Sequence, residues 1–270
     1  MKPRSAYLRR GEMILLRTSL LRFFTVAVLL GWIAGARAAE LPAEADLRPQ
    51  MKAWDLGPRS QGGRPTCSVF TFTGGLEFAV GKARKKGERL SVDYVNWAAN
   101  QEREKARDGG FFSDMWKGFE RHGVCAEDEM PYGRKFDAER KPDEKVAAFA
   151  KETMALGIAD HWIKKWNPKT GLSDEEFTSI KETLSAGWPV CGGFRWPNHA
   201  AWKDGVLQSC AEDEVFDGHS VLLVGYRDDA SQPGGGVFLI RDSGSGEDRA
   251  MPYGYAKSFM NDALWIGSGQ

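Results

Sequence analysis

The chain has 270 residues, and its 42% hydrophobic content is enough to fill the core of one large domain or two small ones. Lys and Arg total 37, as do Asp and Glu, so the formal net charge is zero. Residues 1–38 hold seven basic groups and one acidic group, which leaves a mildly acidic body of 30 basic and 36 acidic groups. Such a body lacks the positive surface on which nucleic-acid binding depends, so we expect no nucleic-acid partner.

The N-terminal segment has the three parts of a secretory signal peptide. A basic start precedes an apolar run of 13 residues, Phe23–Gly35, and residues 36–38 supply a small-x-small cleavage site. The run is too short to span a bilayer comfortably, so a retained anchor is the weaker alternative. We therefore expect residues 1–38 to be removed, leaving a secreted or periplasmic protein that begins near Ala39 and has no membrane attachment.

Helix signals dominate the first half of the body. Apolar residues recur every three or four positions from Cys67 to Ala83, with Thr66 at the N-cap position. Two glycines interrupt this helix at residues 74 and 75, and we expect close backbone packing there. Further helices are predicted at Ser91–Trp97, at Ser113–Gly123, near Lys145–Met154, and after a capping box of Ser173 and Glu176.

Short apolar segments separated by turn residues dominate the second half. The predicted strands are Val190–Phe194, His219–Tyr226, Val237–Arg241, Tyr253–Lys257 and Leu264–Gly267, with a hairpin loop over Arg227–Gly236. Helices followed by strands predict the α+β class.

Cys67 has the context of a reactive thiol. It begins a helix, where unpaired backbone N–H groups and the helix dipole favour a thiolate, and it follows a Gly-rich turn. Gln61 lies six residues earlier, from where its side-chain amide can join the Cys67 backbone N–H in holding an oxyanion. A buried or disulfide-bonded structural cysteine is the alternative when this residue is considered alone.

A histidine and a carboxylate lie at the ends of two successive predicted strands. His219 begins an apolar strand, and Asp242 closes the next one. The hairpin between them can place the two side chains together, so that the carboxylate orients the imidazole and stabilises its charged form.

The other cysteines are Cys125, Cys191 and Cys210. Their spacings contain neither a Cys-x-x-Cys pair nor a Cys/His cluster, so we expect no metal and no cofactor. An oxidising compartment permits a disulfide. Proximity along the chain favours Cys191–Cys210, although spacing alone does not fix the pairing.

Four motifs, in order, resemble those of the papain-like cysteine peptidases, from about Leu47 to Ile266. They are Gln61-Gly-Gly-Arg-Pro-Thr-Cys67-Ser-Val-Phe, Gly109-Gly-Phe-Phe-Ser-Asp-Met with Pro131-Tyr132, Gly218-His219-Ser-Val-Leu-Leu-Val-Gly-Tyr226, and Leu239-Ile-Arg-Asp242-Ser-Gly. They are similar to the family's Gln…Cys-Trp-Ala-Phe segment, its Gly-Gly cleft stretch with the following Tyr-Pro-Tyr, its His strand and its Lys-Asn-Ser-Trp-Gly segment.

The resemblance implies an α+β fold with a cleft between two lobes. Residues 39–165 would form a helical lobe that carries the cysteine, with an N-terminal part that can cross to the other lobe. Residues 166–270 would form a β-barrel-like lobe that carries the histidine and the aspartate.

The resemblance also implies a thiol peptidase, a hydrolase that cleaves peptide or protein substrates through a Cys67 acyl-enzyme. His219 would be the imidazolium partner and general acid, Asp242 the group that orients it, and Gln61 an oxyanion donor. The implied substrate-binding residues are Gly109 and Gly110 for the extended substrate, and Gly193 and Ser220 near the pocket for the second residue on the acyl side.

Three departures from the family pattern qualify this interpretation. Asp242 replaces the family's Asn, and the Trp that normally follows is absent, which predicts a more exposed and weaker bond between His219 and its partner. Ser68 replaces the Trp that follows the nucleophile. About eight residues separate the expected cleavage site from Leu47, which leaves no room for the usual inhibitory pro-segment. The alternatives are an inactive papain-like binding module and, less favoured, a Cys-His-Asp acyltransferase or amidase.

Overall fold

The computed structural model describes residues 40–269. Its helices are α1 (Arg48–Ala53), α2 (Cys67–Arg84), α3 (Val92–Asn100), α4 (Phe112–His122), α5 (Glu144–Ala150), α6 (Asp174–Ser185) and α7 (Tyr253–Phe259). Its strands are β1 (Glu44–Asp46), β2 (Ile158–Lys164), β3 (Val190–Pro197), β4 (Trp202–Lys203), β5 (Val206–Leu207), β6 (Val215–Asp228), β7 (Gly236–Asp242), β8 (Glu247–Pro252) and β9 (Met260–Ser268). Two short 3-10 helices complete the regular structure, at Lys151–Leu156 and Glu212–Glu214. The predicted signal peptide lies outside the described residues.

The helices begin where the sequence supplies caps. Ser91 accepts the Tyr94 backbone N–H at 3.0 Å and starts α3, as predicted. Ser173 and Glu176 form both hydrogen bonds of the predicted capping box at the start of α6. Among residues 40–269, no helix is both long enough and apolar enough to cross a membrane.

The strands form one bulged sheet in the order β2-β9-β3-β6-β7-β8-β5-β4, with β1 added along β6. All neighbours are antiparallel except the short β5–β8 pair. In the described part of the chain this sheet does not close on itself, so the predicted barrel-like lobe is an open sheet. The predicted α+β class is confirmed, because the helices pack beside this sheet.

Helix α2 is buried along most of its length and packs against the middle of the sheet. A Cβ on Gly75 would lie 2.9 Å from the Cys191 Sγ of β3, and one on Gly74 would lie 3.1 Å from Leu222 of β6. The predicted close packing at these two glycines is therefore confirmed. The packing holds α2 against β6, the strand that carries His219, and against its neighbour β3.

The structure corrects one predicted strand. Residues 253–257 lie in helix α7, because Tyr253, Ala256 and Phe259 recur every three residues and are buried together. The alternation of Tyr253, Tyr255 and Lys257 imitates a strand, but Pro252 fits the N-cap of a helix. Strands β1, β2 and β8 and the two-residue strands β4 and β5 were not predicted.

The favoured Cys191–Cys210 disulfide is wrong, since all four cysteines are free. Cys191 lies in the core, where its Sγ is 3.4 Å from the Thr71 carbonyl oxygen of α2, whereas Cys210 lies in a half-exposed loop. Closeness along the chain therefore does not bring these two sulfurs together. The predicted division near residue 165 stays a prediction; β2, which precedes it, pairs with β9.

Candidate active site

Cys67 is the first residue of α2, as the sequence predicts. Thr66 occupies the N-cap position, but its hydroxyl does not cap the helix; it lies 2.6 Å from the Tyr132 hydroxyl instead. The first-turn N–H groups are thus left to the sulfur and to any ligand beside it. The Cys67 side chain is nearly buried and lies 3.6 Å from the Gly218 carbonyl oxygen of β6.

His219 and Asp242 are brought together by β6 and the end of β7. The Nε2 atom of His219 lies 2.8 Å from Asp242 Oδ1, and the two side chains are 13% and 7% exposed. The Asp242 carboxylate also accepts hydrogen bonds from the Gly244 backbone N–H at 2.8 Å and the Ser245 hydroxyl at 3.0 Å. Because Nε2 is engaged, the other ring nitrogen is the one that can hydrogen-bond the Cys67 thiol.

The three groups shift one another's pKa values in the direction of an ion pair. Burial opposes the thiolate, but the hydrogen bond and charge of His219 outweigh it and hold the pKa of Cys67 below its usual range. Burial likewise opposes the imidazolium, yet hydrogen bonds to Asp242 and Cys67 raise the pKa of His219 to about 9. The pKa of Asp242 is lowered, because its bonds to His219 outweigh burial.

Trp196 of β3 shields the histidine from water. Its ring centroid lies 4.5 Å from that of His219 in an edge-to-face contact, and the tryptophan is 8% exposed. Gly244 closes another side, since a Cβ on it would lie 3.5 Å from His219 Cε1. The expectation of a more exposed His219–Asp242 bond is therefore wrong: a tryptophan from a different strand covers the ring. Sequence analysis missed Trp196 because no motif contains it.

Gln61 is fixed beside the strand that ends at Asp242. Its backbone N–H donates to the Ser243 carbonyl oxygen at 2.9 Å, and its Oε1 accepts the Ser243 hydroxyl at 2.8 Å. This orients the amide so that Nε2 donates to the Arg64 carbonyl oxygen at 2.8 Å, with its second N–H still available. Gln61 and Asp242 do not belong to the walls of the cleft described next.

Cys67 and His219 share a cleft of about 320 Å³. Its walls include the four predicted substrate-binding residues, Gly109, Gly110, Gly193 and Ser220. They also include residues that sequence analysis missed, notably Phe111, Trp166 and Asp262. Phe111 directly follows the Gly-Gly motif, so the motif could have predicted its place in the cleft wall. The other two come from segments that no motif marks.

The Gly-Gly segment is held close to the nucleophile. A Cβ on Gly109, whose φ is +68°, would lie 2.5 Å from the Pro65 carbonyl oxygen, so only glycine fits. The Gly110 backbone N–H donates to the Ser68 hydroxyl at 3.1 Å. Ser68, which stands where the family has Trp, thus ties the cleft wall to the residue after Cys67.

A buried ion network fixes the loop before Cys67. Arg64, which is 6% exposed, reaches Asp93 at 2.7 Å and Asp108 at 2.6 Å. Asp108 immediately precedes the Gly-Gly segment, so this network sets the nucleophile loop and the cleft wall at a fixed separation. Within the described part of the chain, no cluster of three or more His, Cys, Asp or Glu side chains is arranged to hold a metal ion.

Comparison with known proteins shows the family. The model of the papain family of cysteine proteases matches residues 41–259, and the chain therefore belongs to that family. Solved structures share the fold at low sequence identity.

Xylellain, a cysteine protease from Xylella fastidiosa, is 22% identical, with a TM-score of 0.67 over 86% of this chain and 88% of that one. Digestive procathepsin L 3 of Tenebrio molitor larval midgut is 16% identical, with a TM-score of 0.61 over 86% of this chain and 71% of that one. The proform of Amb a 11, a cysteine protease and major ragweed pollen allergen, is 19% identical, with a TM-score of 0.61 over 87% and 67% of the two chains.

Proposed function

We propose that this protein is a secreted or periplasmic cysteine peptidase that hydrolyses peptide bonds through an acyl-enzyme at Cys67. The observation that carries the proposal is the buried His219–Asp242 pair, whose remaining ring nitrogen faces a thiol at the start of a helix. Family membership supports the same reading, because the family model is that of a cysteine protease.

In the first half of the reaction, the Cys67 thiolate attacks the carbonyl carbon of the scissile peptide bond and forms a C–S bond. The tetrahedral intermediate then collapses, the C–N bond breaks, and His219 gives its proton to the departing amine. Asp242 holds the imidazolium in place for that transfer. A thioester on Cys67 and a free amine are the products of this half.

The negative oxygen of the intermediate needs donors that are already in place. In this proposal they are the Cys67 backbone N–H and the amide of Gln61. The bond from the Ser243 hydroxyl to Gln61 Oε1 supports this role, because it leaves the amide nitrogen as the end that can donate.

In the second half, neutral His219 takes a proton from water, and the resulting hydroxide attacks the thioester carbonyl carbon. The C–S bond breaks, the carboxylic acid product leaves, and the thiolate–imidazolium pair is restored. No cofactor enters either half.

The substrate is a peptide or protein segment bound in extended form. Gly109 and Gly110 lie in the wall of the cleft, where neither has a side chain that would obstruct an extended peptide. Gly193 and Ser220, which pair with each other between β3 and β6, also line the cleft beside His219. We assign them to the pocket for the second residue on the acyl side.

A peptidyl epoxide tests the proposal, since it alkylates only an activated thiol in a peptide-binding cleft. We expect a single adduct on Cys67 by peptide mapping, hydrolysis of an unlabelled peptide, and loss of at least about 100-fold in both rates in His219→Ala. His161→Ala is the matched control, because His161 is a half-buried residue of the edge strand β2, where it stacks on Trp265 of β9.

Three other outcomes would overturn the proposal. The absence of an adduct at any pH from about 4 to 9 would favour an inactive binding module. Incorporation of an amine into glutamine-containing acceptors would favour an acyltransferase. Recovery of the protein from the cytoplasm with residues 1–38 still attached would contradict export.

A further inference from the structure

A second groove lies beside the cleft, between helix α4 and the edge strand β2. Its volume is about 470 Å³. Its walls are Phe111, Ser113, Trp116, Lys117, Glu120, Asp160, Trp162, Lys165, Trp166 and Asp262. Three of these, Phe111, Trp166 and Asp262, also line the cleft that holds Cys67 and His219. The groove is therefore a side extension of the cleft rather than a separate site.

Exposed aromatic rings stand at the junction. Phe111 is 44% exposed and Trp166 is 50% exposed, and their ring centroids lie 5.4 Å apart in an edge-to-face contact. Two exposed aromatic rings in contact at the rim of a cleft offer an apolar surface to a bound side chain. In the same groove the Lys165 Nζ lies 4.2 Å from the centroid of the Trp162 ring. This cation–π contact within the protein shows that the aromatic walls of the groove suit an alkylammonium group.

A buried carboxylate belongs to the walls of both the cleft and the groove. Asp262 of β9 is 5% exposed, and its Oδ1 would lie 2.1 Å from a Cβ on Gly193, so it rests against a position that only glycine can fill. The Gly193 backbone N–H is its hydrogen-bond donor. Among residues 40–269, the cation whose charge reaches it is Lys164, which itself pairs with Glu176 at 3.8 Å.

The surroundings of this carboxylate disfavour its ionised form. Burial raises the pKa of Asp262 to about 7, which is the response of a carboxylate that has lost water and lacks a close counter-ion. A buried charge without a partner is costly, and a ligand cation would remove most of that cost. The exposed aromatic pair that lines the same cleft and groove suits the apolar stem of a long basic side chain.

We propose that the junction of Phe111, Trp166 and Asp262 binds an arginine or lysine side chain of the peptide substrate. The inference rests on the proposed peptidase function and adds its substrate class. The stem of the basic side chain packs against the two rings, and its charged end pairs with the carboxylate. A neutral aliphatic side chain fills the same space but leaves the carboxylate unpaired.

Matched peptides that carry either arginine or citrulline test this inference, because citrulline keeps the shape and removes the charge. Each of the first three positions on the acyl side is varied in turn. We expect kcat/KM to favour arginine over citrulline by about tenfold or more at one position. In Asp262→Asn that ratio falls to about one, whereas Glu120→Gln, which removes an exposed charge from the same groove, keeps it.

The outcomes separate the two proposals. If peptides are hydrolysed and no position distinguishes arginine from citrulline, the basic-residue site is wrong while the peptidase assignment stands. If no peptide is hydrolysed, binding of both peptide sets to Cys67→Ala is measured by Trp fluorescence. Equal affinities there also contradict the site, and tighter binding of the arginine peptide that Asp262→Asn abolishes supports it.

Discussion

Asp242 places a full negative charge beside the His219 ring, where the family has a neutral asparagine. Both side chains can accept the imidazole N–H, but only the carboxylate stabilises the charged ring electrostatically. The pKa of His219 at about 9 and the lowered pKa of Cys67 follow from this chain of contacts after burial is overcome. The proposed ion pair therefore exists from the low pKa of the thiol up to about pH 9.

Asp242→Asn should narrow this range from both sides. Loss of the anion lowers the pKa of His219 by about one unit or more, which moves the alkaline limb of the kcat/KM profile to lower pH. The weaker imidazolium stabilises the thiolate less, so the acidic limb moves to higher pH. Profiles of wild type, Asp242→Asn and the control Asp128→Asn, at an exposed residue outside the cleft and groove walls, check this. An unchanged alkaline limb in Asp242→Asn would show that the carboxylate does not set it.

Trp196 supplies the shielding that the missing tryptophan of the family motif would give. A hydrogen bond that is kept dry is electrostatically stronger and holds its partners in one orientation. The edge-to-face contact of Trp196 with His219 therefore makes this tryptophan a positioning residue.

Trp196→Ala should lower kcat by about tenfold, the equivalent of about 1.4 kcal/mol, and change KM by less than about twofold. Trp196→Phe keeps a ring over the imidazole and should restore most of kcat. Steady-state kinetics at a temperature where circular dichroism shows both variants folded is the measurement. A wild-type kcat in the alanine variant would show that the ring does not protect the bond.

At the scale of elements, the sequence predicts those helices and strands that short local signals specify. The helices with clear caps, α3 and α6, and the strands that carry His219 and Asp242 were predicted because their signals lie within a few residues. The edge strand β2 was missed because its residues are all at least partly exposed except Lys164, so no apolar alternation marks it. Helix α7 was misassigned because Tyr253, Tyr255 and Lys257 alternate as in a strand, whereas the burial of its residues depends on distant partners such as Phe238 of β7, which contacts Tyr253.

Gly118→Ala in α4 has two opposing effects on the free energy of unfolding, one from helix propensity and one from packing. Alanine is favoured over glycine by about 1 kcal/mol inside a helix. However, a Cβ on Gly118 would lie 2.6 Å from the Ala98 carbonyl carbon of α3, and overpacking costs about 1–3 kcal/mol. We therefore expect a net loss of up to about 2 kcal/mol in the free energy of unfolding, measured in urea. Lys117→Ala should change it by less than about 0.5 kcal/mol; a more stable Gly118→Ala would contradict the contact.

At the scale of the whole molecule, long-range pairing decides what lies at the site. The C-terminal strand β9 inserts between β2 and β3, which brings Asp262 to Gly193 and the cleft. The Cys67, His219 and Asp242 motifs could be read one by one, and their order along the chain supported one cleft. The positions of Trp196 and Asp262 at the site could not be predicted. They depend on which distant strands pair and in what register, and no local sequence pattern specifies that pairing.

The relative reactivity of the four cysteine thiols follows from the same packing. Cys191 is fully buried and Cys125 is 4% exposed, so both should resist alkylation in the native protein, whereas Cys67 reacts first and Cys210 more slowly. After denaturation without reductant, intact mass should show four alkylated thiols. Two adducts, rising to four only after reduction, would instead reveal a disulfide.

The central claim is that Cys67 is a thiolate paired with a charged His219 at neutral pH. The direct measurement is the ultraviolet difference absorbance of the thiolate, taken between wild type and Cys67→Ser as pH is varied. The account predicts that the thiolate signal is already present at about pH 7 and has a midpoint well below the free cysteine value of about 8.5. A signal that first develops with a midpoint at or above that value would contradict the ion pair and the peptidase mechanism built on it.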